Sequence, residues 1–90
     1  MVYVDPIRPC LKSKRWPYTK AAHLVADSIT QLHAFAARLG LRRSWFQDSP
    51  GLPHYDVTEG VRWQAIQKGA IAITQKELVS MFRKDKRHGR

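Results

Sequence analysis

The residue types best suited to chemistry stand together in the tripeptide His54-Tyr55-Asp56, which follows a segment rich in proline and glycine. An imidazole accepts or donates a proton near neutral pH, and a carboxylate can fix its tautomer. We therefore predict that His54, Asp56 and a second carboxylate, Asp5, form a catalytic group on a loop. The structural alternative is that His54 bonds a backbone carbonyl while Tyr55 packs into the core.

Capping residues and apolar spacing predict three helices that would position these groups. Ser28-x-x-Gln31 is a capping box, and the apolar residues that follow it recur at helical spacing over about residues 29–39. Two further helices are predicted from their capping residues, which are Thr58 for the second helix and Thr74 with Glu77 for the third.

Short aliphatic and aromatic runs predict three strands, at residues 2–4, 41–46 and 70–73. Residues 21–26 fit either a helical turn or an extended segment. The resulting β-α-β-α-β-α order is typical of an α/β fold with right-handed crossovers. We therefore predict a small three-stranded parallel sheet in a single domain that spans residues 1–82.

Ligands of an open parallel sheet bind outside the carboxyl ends of its strands. This rule predicts that Asp5 and the His54 loop meet at one rim, where the helix that begins after Thr74 would offer free N–H groups to an anion. The predicted ligand-binding residues at this rim are Arg8, Gln47, Tyr55, Arg62 and Thr74.

Basic residues concentrate in two segments of a chain whose net charge is +9. One is a long loop after the first strand, residues 6–20, and the other is a tail at residues 83–90 that we predict to be flexible. Such segments attract polyphosphates in a salt-dependent manner, although they can equally serve solubility. The predicted nucleic-acid contacts are Lys12, Lys14, Arg15, Lys20, Lys84, Lys86 and Arg87.

Aromatic residues interleave with the cations of the loop, and two further histidines precede the His54 segment. Trp16 and Tyr18 could stack on bases or anchor the loop to the domain. His23 and Asp27 would share a helix face four residues apart, unless Asp27 helps to cap the helix after Ser28.

Several classes of protein are excluded by missing motifs. The chain has no glycine-rich nucleotide loop and no HxxxH or CxxC spacing, so we predict no cofactor and no metal site. The single cysteine, Cys10, excludes an internal disulfide. No apolar run reaches the roughly 20 residues that span a bilayer, and no secretory signal is visible, so we expect a cytoplasmic protein without a membrane partner. A sheet this small leaves room for a homodimer.

Four separated motifs occur in order: VYVD at 2–5, HLxAD at 23–27, LHAxAxxLGLRRxWFQ at 32–47 and PHYDVT at 53–58. Together they resemble a family of small bacterial and phage proteins catalogued as a domain of unknown function. The resemblance covers about residues 2–74. It implies that Asp5, Asp27, the histidines and the His-Tyr-Asp segment belong to the family's pattern, and it implies no activity.

These observations favour a binding module for a phosphate-bearing ligand, either nucleic acid or nucleotide. The first alternative is a small hydrolase or transferase acting on a nucleotide-like substrate, with His54 as acid or base and Arg8 or Arg62 as the anion clamp. The second alternative is a phage or bacterial protein-interaction module that binds a host protein. Whether the chain is an enzyme stays open at this point.

Overall fold

The computed structural model describes residues 1–88 of the chain, with side chains described up to Phe82. It shows a small mixed α/β fold with a six-stranded mixed sheet and three helices. The strands are β1 (Val2–Val4), β2 (Arg8–Pro9), β3 (Lys20–Ala26), β4 (Gln47–Ser49), β5 (Leu52–Val57) and β6 (Ile71–Ala72). The helices are α1 (Ile29–Arg38), α2 (Glu59–Gln67) and α3 (Gln75–His88).

The sheet differs from the predicted one because its central strand is the segment that the sequence left undecided. The strand order is β4-β5-β3-β1-β6, and β2 also pairs with β3. Strand β3 runs antiparallel to β1, β2 and β5, and among the described residues only β1 and β6 pair in parallel. The prediction of three parallel strands is therefore wrong, although β1 and β6 lie where two of them were expected.

The predicted strand at residues 41–46 is also wrong. Gly40 reverses the chain after α1 with a φ of 81°, and the segment then forms a short 3₁₀ helix, Arg43–Trp45, instead of a strand. The aromatic residues that resembled a buried strand are not all buried, since Trp45 is exposed.

The predicted turn around Pro50 and Gly51 joins two strands as a tight hairpin. Ser49 pairs with Leu52 across β4 and β5, so the turn itself is these two residues, and Gly51 takes the positive φ that such a turn requires. As a result, His54-Tyr55-Asp56 lies on strand β5 and not on a loop. Successive side chains of the tripeptide therefore point to opposite faces of the sheet.

The predicted helix caps are confirmed by the hydrogen bonds of the structure. The Ser28 hydroxyl accepts from the Gln31 N–H at 3.1 Å, and the Thr58 hydroxyl accepts from the Val61 N–H at 3.3 Å. The Gln31 side chain accepts from the Met1 amino group at 2.9 Å, so the reciprocal half of the capping box predicted at Ser28 is not formed among the described residues. At α3, Thr74 and Glu77 form the reciprocal pair of bonds expected of a capping box.

Helices cover the two faces of the sheet unequally. On one face, α1 and α2 bury the main core, which includes Leu24 of β3 and Tyr55 of β5. On the other face, α3 packs Leu78 against Val25 in a smaller apolar cluster. Because side chains alternate along a strand, polar residues an even number of positions from Val25 along β3 share this second face. Among the described residues, no helix is both long and apolar enough to cross a membrane.

Candidate functional site

Five polar side chains from four neighbouring strand ends gather on the sheet face that carries α3. His23 of β3 lies directly opposite Asp56 of β5, and Gln47 of β4 lies directly opposite His54. Asp5, just after β1, continues the ladder by donating its N–H to the His23 carbonyl at 3.2 Å. We call these five residues the polar cluster.

Asp5 holds His23 in a fixed orientation. The Asp5 carboxylate is 1% exposed and accepts twice from His23, from the backbone N–H at 2.6 Å and at 2.8 Å from the ring Nδ1. The carboxylate favours the proton on Nδ1, which leaves the lone pair on Nε2. Arg62 of α2 donates its Nε–H to the Asp5 carbonyl at 2.7 Å and so fixes the backbone beneath this pair.

His54 is oriented in the same way by a backbone group. Its Nδ1 lies 2.7 Å from the Leu52 carbonyl oxygen, and because a carbonyl only accepts, Nδ1 must carry a proton. The other ring nitrogen, Nε2, lies 3.4 Å from Oδ1 of Asp56. Asp56 is itself held by a hydrogen bond from the Gln47 side-chain amide to its second oxygen.

The charges of the cluster stabilise one another. Burial alone would lower the pKa of His54, but contacts with Asp56 and with the Leu52 carbonyl raise this pKa above its ordinary value. Burial alone would raise the pKa of Asp56, but His54 and Gln47 lower it below its ordinary value. Asp56 is therefore a carboxylate at neutral pH, and it faces two imidazoles.

Three cluster members bring possible ligand atoms close together. The rings of His23 and His54 meet edge to face with centroids 4.8 Å apart. One ligand atom from each of His23, His54 and Asp56 lies within 4.8 Å of the other two. Two imidazoles and one carboxylate are a donor set that zinc and similar divalent ions bind in proteins.

Four of the eight predicted catalytic and ligand-binding residues meet in the cluster, but not at a rim of parallel strands. Asp5, Gln47, His54 and Asp56 are brought together on a sheet face, and Arg62 contacts Asp5 from the side. Antiparallel pairing achieves this because residues of opposite strands face each other across the ladder.

Three predicted ligand-binding residues lie elsewhere. Tyr55 is 1% exposed in the main core on the opposite face, where its hydroxyl lies 2.9 Å from Nδ1 of His33. Thr74 caps α3, and the guanidinium of Arg8 donates to the side chain of Gln75 at the start of that helix. No side chain of the three forms a hydrogen bond or ion pair with a cluster residue in the described part of the chain.

The prediction that paired His23 with Asp27 missed the partner of this histidine. Asp27 instead binds the amino terminus of Met1 and the hydroxyl of Tyr3, each at 3.0 Å. The sequence signal for a strand is weak here, because residues 21–26 are apolar apart from His23 and show no alternation of apolar and polar residues. The spacing His54-x-Asp56 is typical of a strand, because it puts both side chains on one face. The prediction of no metal site had a different basis, the absence of HxxxH and CxxC spacing.

The predicted nucleic-acid contacts fall into two groups. The first four lie on the segment between β2 and the start of β3, residues 10–20, which we call the basic arm; all four are exposed, and they are Lys12, Lys14, Arg15 and Lys20. The other three lie outside the described side chains, and they are Lys84, Lys86 and Arg87.

Comparisons with known proteins bear on the family and not on the activity. Searches of curated proteins and of solved structures find no significant match to the chain. A family model matches nearly the whole sequence and confirms the resemblance to a domain of unknown function, while the motif pattern and the bacterial and phage origin of its members stay predictions. Since the match spans residues 2–85, the chain belongs to the family described as "Protein of unknown function (DUF4031)".

Proposed function

We propose that this chain binds a divalent transition-metal ion at His23, His54 and Asp56, and through that ion an anionic, phosphate-bearing ligand. The observation that carries the proposal is the orientation of the two imidazoles. Each ring has its Nδ1 engaged by an acceptor, the Asp5 carboxylate for His23 and the Leu52 carbonyl for His54. Metal binding would use Nε2 of each ring, with release of the proton that Nε2 of His54 carries beside Asp56 when that ring is charged.

The acceptors behind the rings match the support that metal-binding histidines need. A ligating histidine typically donates its second ring N–H to a carboxylate or a backbone carbonyl, which fixes the tautomer and raises the basicity of the ligand. The cluster contains one example of each kind. The Gln47 amide plays the corresponding role for Asp56, since it occupies the oxygen that faces away from His54.

The distances also favour an ion over a direct ion pair. The 3.4 Å between His54 Nε2 and Asp56 Oδ1 is longer than an ordinary N–H···O hydrogen bond. In a tetrahedral zinc site with bonds of about 2.0–2.1 Å, two ligand atoms lie about 3.4 Å apart. No separation within the trio exceeds 4.8 Å, so reaching that geometry requires shifts of at most about 1.4 Å, shared among three side chains.

Three protein ligands leave room for a further ligand on the ion. Catalytic zinc sites keep such a position for water or substrate, whereas structural sites fill it with a fourth protein ligand. The side chain of His23 is 29% exposed, so the cluster is reachable from solvent. A bound metal cation would attract an anion, and phosphate is an anion that the positive net charge of the chain favours.

Hydrolysis of a nucleotide-like substrate is the second candidate function. The same observation favours it, because a solvent-accessible ion with three protein ligands lowers the pKa of a bound water and supplies hydroxide near neutral pH. In this case Asp5 would position His23 and would not itself touch the substrate.

Metal binding can be tested with untagged full-length protein, because affinity tags bind the same ions. Isothermal titration with Zn²⁺ and visible absorption with Co²⁺ should show one site per chain, with the intense bands of a four- or five-coordinate ion. His23→Ala, His54→Ala and Asp56→Ala should each abolish or strongly weaken the site. His33→Gln removes a histidine outside the cluster and is the matched control. Equal binding by the cluster variants and the control would overturn the proposal.

The ligand part of the proposal has its own readout. Inorganic phosphate or adenosine monophosphate should change the Co²⁺ spectrum of the loaded protein, because either would enter the open coordination position. If Co²⁺ binds but neither anion changes the spectrum, the ion is structural and the phosphate assignment is wrong. Turnover of bis-(p-nitrophenyl) phosphate that EDTA abolishes would support the hydrolase.

A further inference from the structure

The basic arm is a hairpin-like segment that joins β2 to the start of β3. The Cys10 N–H donates to the Thr19 carbonyl at 2.8 Å, which continues the pairing of β2 with β3. Near its tip, Ser13 and Trp16 exchange backbone hydrogen bonds at 2.9 and 3.2 Å. The arm therefore presents its side chains from a defined backbone, unlike a solvated loop.

The charge of the arm is positive throughout. The sequence has no aspartate or glutamate between Asp5 and Asp27. No ion pair of the arm is formed with any side chain in the described part of the chain. The four exposed cations of the arm are therefore available to a polyanion, and they are Lys12, Lys14, Arg15 and Lys20.

An aromatic side chain is held among these cations with its ring accessible. Trp16 is fixed by its indole N–H, which donates to the Lys20 carbonyl at 3.1 Å. Tyr18 packs against the Trp16 ring with centroids 4.9 Å apart and an interplanar angle of 69°. Tyr18 nevertheless stays 49% exposed. Trp16 thus holds the aromatic pair on the arm, and the exposed ring of Tyr18 is accessible for stacking.

From this arrangement we infer that the basic arm binds single-stranded nucleic acid, with the cations on the phosphates and Tyr18 stacked on a base. Single-stranded nucleic acid combines regularly spaced charge with aromatic faces, and proteins recognise it by these two contacts. In a duplex the base faces are covered by stacking, so the tyrosine would find no partner there. This inference uses no residue of the polar cluster and does not depend on the metal site.

The test compares two variants of equal charge in the full chain. The arm variant is Lys12→Gln, Lys14→Gln, Arg15→Gln and Lys20→Gln. The control variant replaces four exposed cations of the remaining surface, Arg38→Gln, Arg42→Gln, Lys68→Gln and Lys76→Gln. Fluorescence anisotropy with labelled single-stranded and duplex DNA over a salt series measures affinity, and EDTA keeps the metal site from contributing.

The single strand should bind more tightly than the duplex. The arm variant should lower the slope of log affinity against log salt by about 3, since each phosphate contact to a single strand contributes about 0.7. The control variant should change that slope much less. Tyr18→Phe keeps the stacking ring and should bind as the parent does, whereas Tyr18→Leu should weaken binding by about fivefold or more.

Three results would overturn the inference. The first is equal loss of affinity in the arm and control variants, which would make the attraction a property of the net charge. The second is equal affinity for single strand and duplex together with no effect of Tyr18→Leu. The third is binding to phosphatidylserine vesicles or to polyglutamate without binding to the oligonucleotide. Circular dichroism of both variants checks that each still folds.

Discussion

Replacing Asp5 with asparagine should reverse the tautomer of His23 and weaken metal binding while leaving the fold in place. The two bonds that Asp5 accepts set the outcome. The His23 backbone N–H, at 2.6 Å from Oδ1, can only donate, so it will select the amide oxygen of the asparagine. The amide NH₂ is then directed at the ring Nδ1, which lies 2.8 Å from the other carboxylate oxygen.

An NH₂ group donates, so Nδ1 must become the acceptor and the ring proton must move to Nε2. That proton blocks the lone pair that the proposed ion uses. Loss of an outer-shell partner of this kind costs about 10- to 100-fold in metal affinity, which corresponds to about 1.4–2.7 kcal/mol. Because the substituted asparagine would still make both hydrogen bonds, the free energy of unfolding should change far less than the removal of a buried carboxylate partner would imply.

Two measurements check this prediction. The ¹⁵N chemical shifts of the His23 ring report the tautomer directly, and titration with Zn²⁺ reports the affinity. The control is Asp48→Asn, which removes one exposed carboxylate of β4 and should change neither the His23 tautomer nor the Zn²⁺ affinity. In the His23→Ala background, Asp5→Asn should have no further effect on affinity. A folded Asp5→Asn protein that keeps its Nδ1–H tautomer and its full Zn²⁺ affinity would refute the reasoning.

Three further predictions concern stability and are checked by urea unfolding. Leu24→Ala removes a fully buried side chain of the central strand and should cost about 2–5 kcal/mol, whereas Leu11→Ala on the exposed arm should cost little. Ser28→Ala removes the cap of α1 and should lower the free energy of unfolding by about 0.5–2 kcal/mol. Ser28→Thr keeps a capping hydroxyl and should lose much less of this stability. Burial lowers the pKa of His33 below its ordinary 6.5, and the charge of Arg43 lowers this pKa further. The contribution of His33 to stability is therefore present above pH 6.5 and lost as the pH falls through its folded-state pKa, and His33→Gln should remove this part of the pH dependence.

The helices were predictable because their signals are local. Ser28, Thr58 and Thr74 each precede a helix by one residue, and each satisfies a backbone N–H three positions on. A cap depends on a few consecutive residues, so no knowledge of the rest of the fold is needed. The turn at Gly51 was predictable for the same reason, because the positive φ of Gly51 belongs to the turn that contains it.

The sheet was not predictable in the same way, because strand pairing is settled between distant segments. Strand β3 begins with Lys20 and carries His23, so its pattern is not a clean alternation of apolar and polar residues. What makes it the central strand is contact with β1 on one side and β5 on the other. Pro53 weakened the strand signal of β5, since proline is disfavoured in sheets. It is accommodated in the short hairpin with β4, where it lies opposite Asp48.

The composition of the second sheet face argues that the polar cluster is kept for a ligand and not for stability. A domain of this size buries only about two-thirds of its unfolded surface, and Leu78 of α3 and Ile73, just after β6, already contribute to that face. Aliphatic residues in place of Asp5 and His54 would extend the same apolar cluster, and buried charged groups seldom stabilise a fold more than well-packed apolar ones do. Instead, every buried polar side-chain atom among the described residues has a hydrogen-bond partner, and the partners of the two imidazoles occupy Nδ1 and leave Nε2. One donor atom from each of His23, His54 and Asp56 lies within 4.8 Å of the other two, which is the arrangement that the proposed ion needs and that a network satisfying only its own groups does not require.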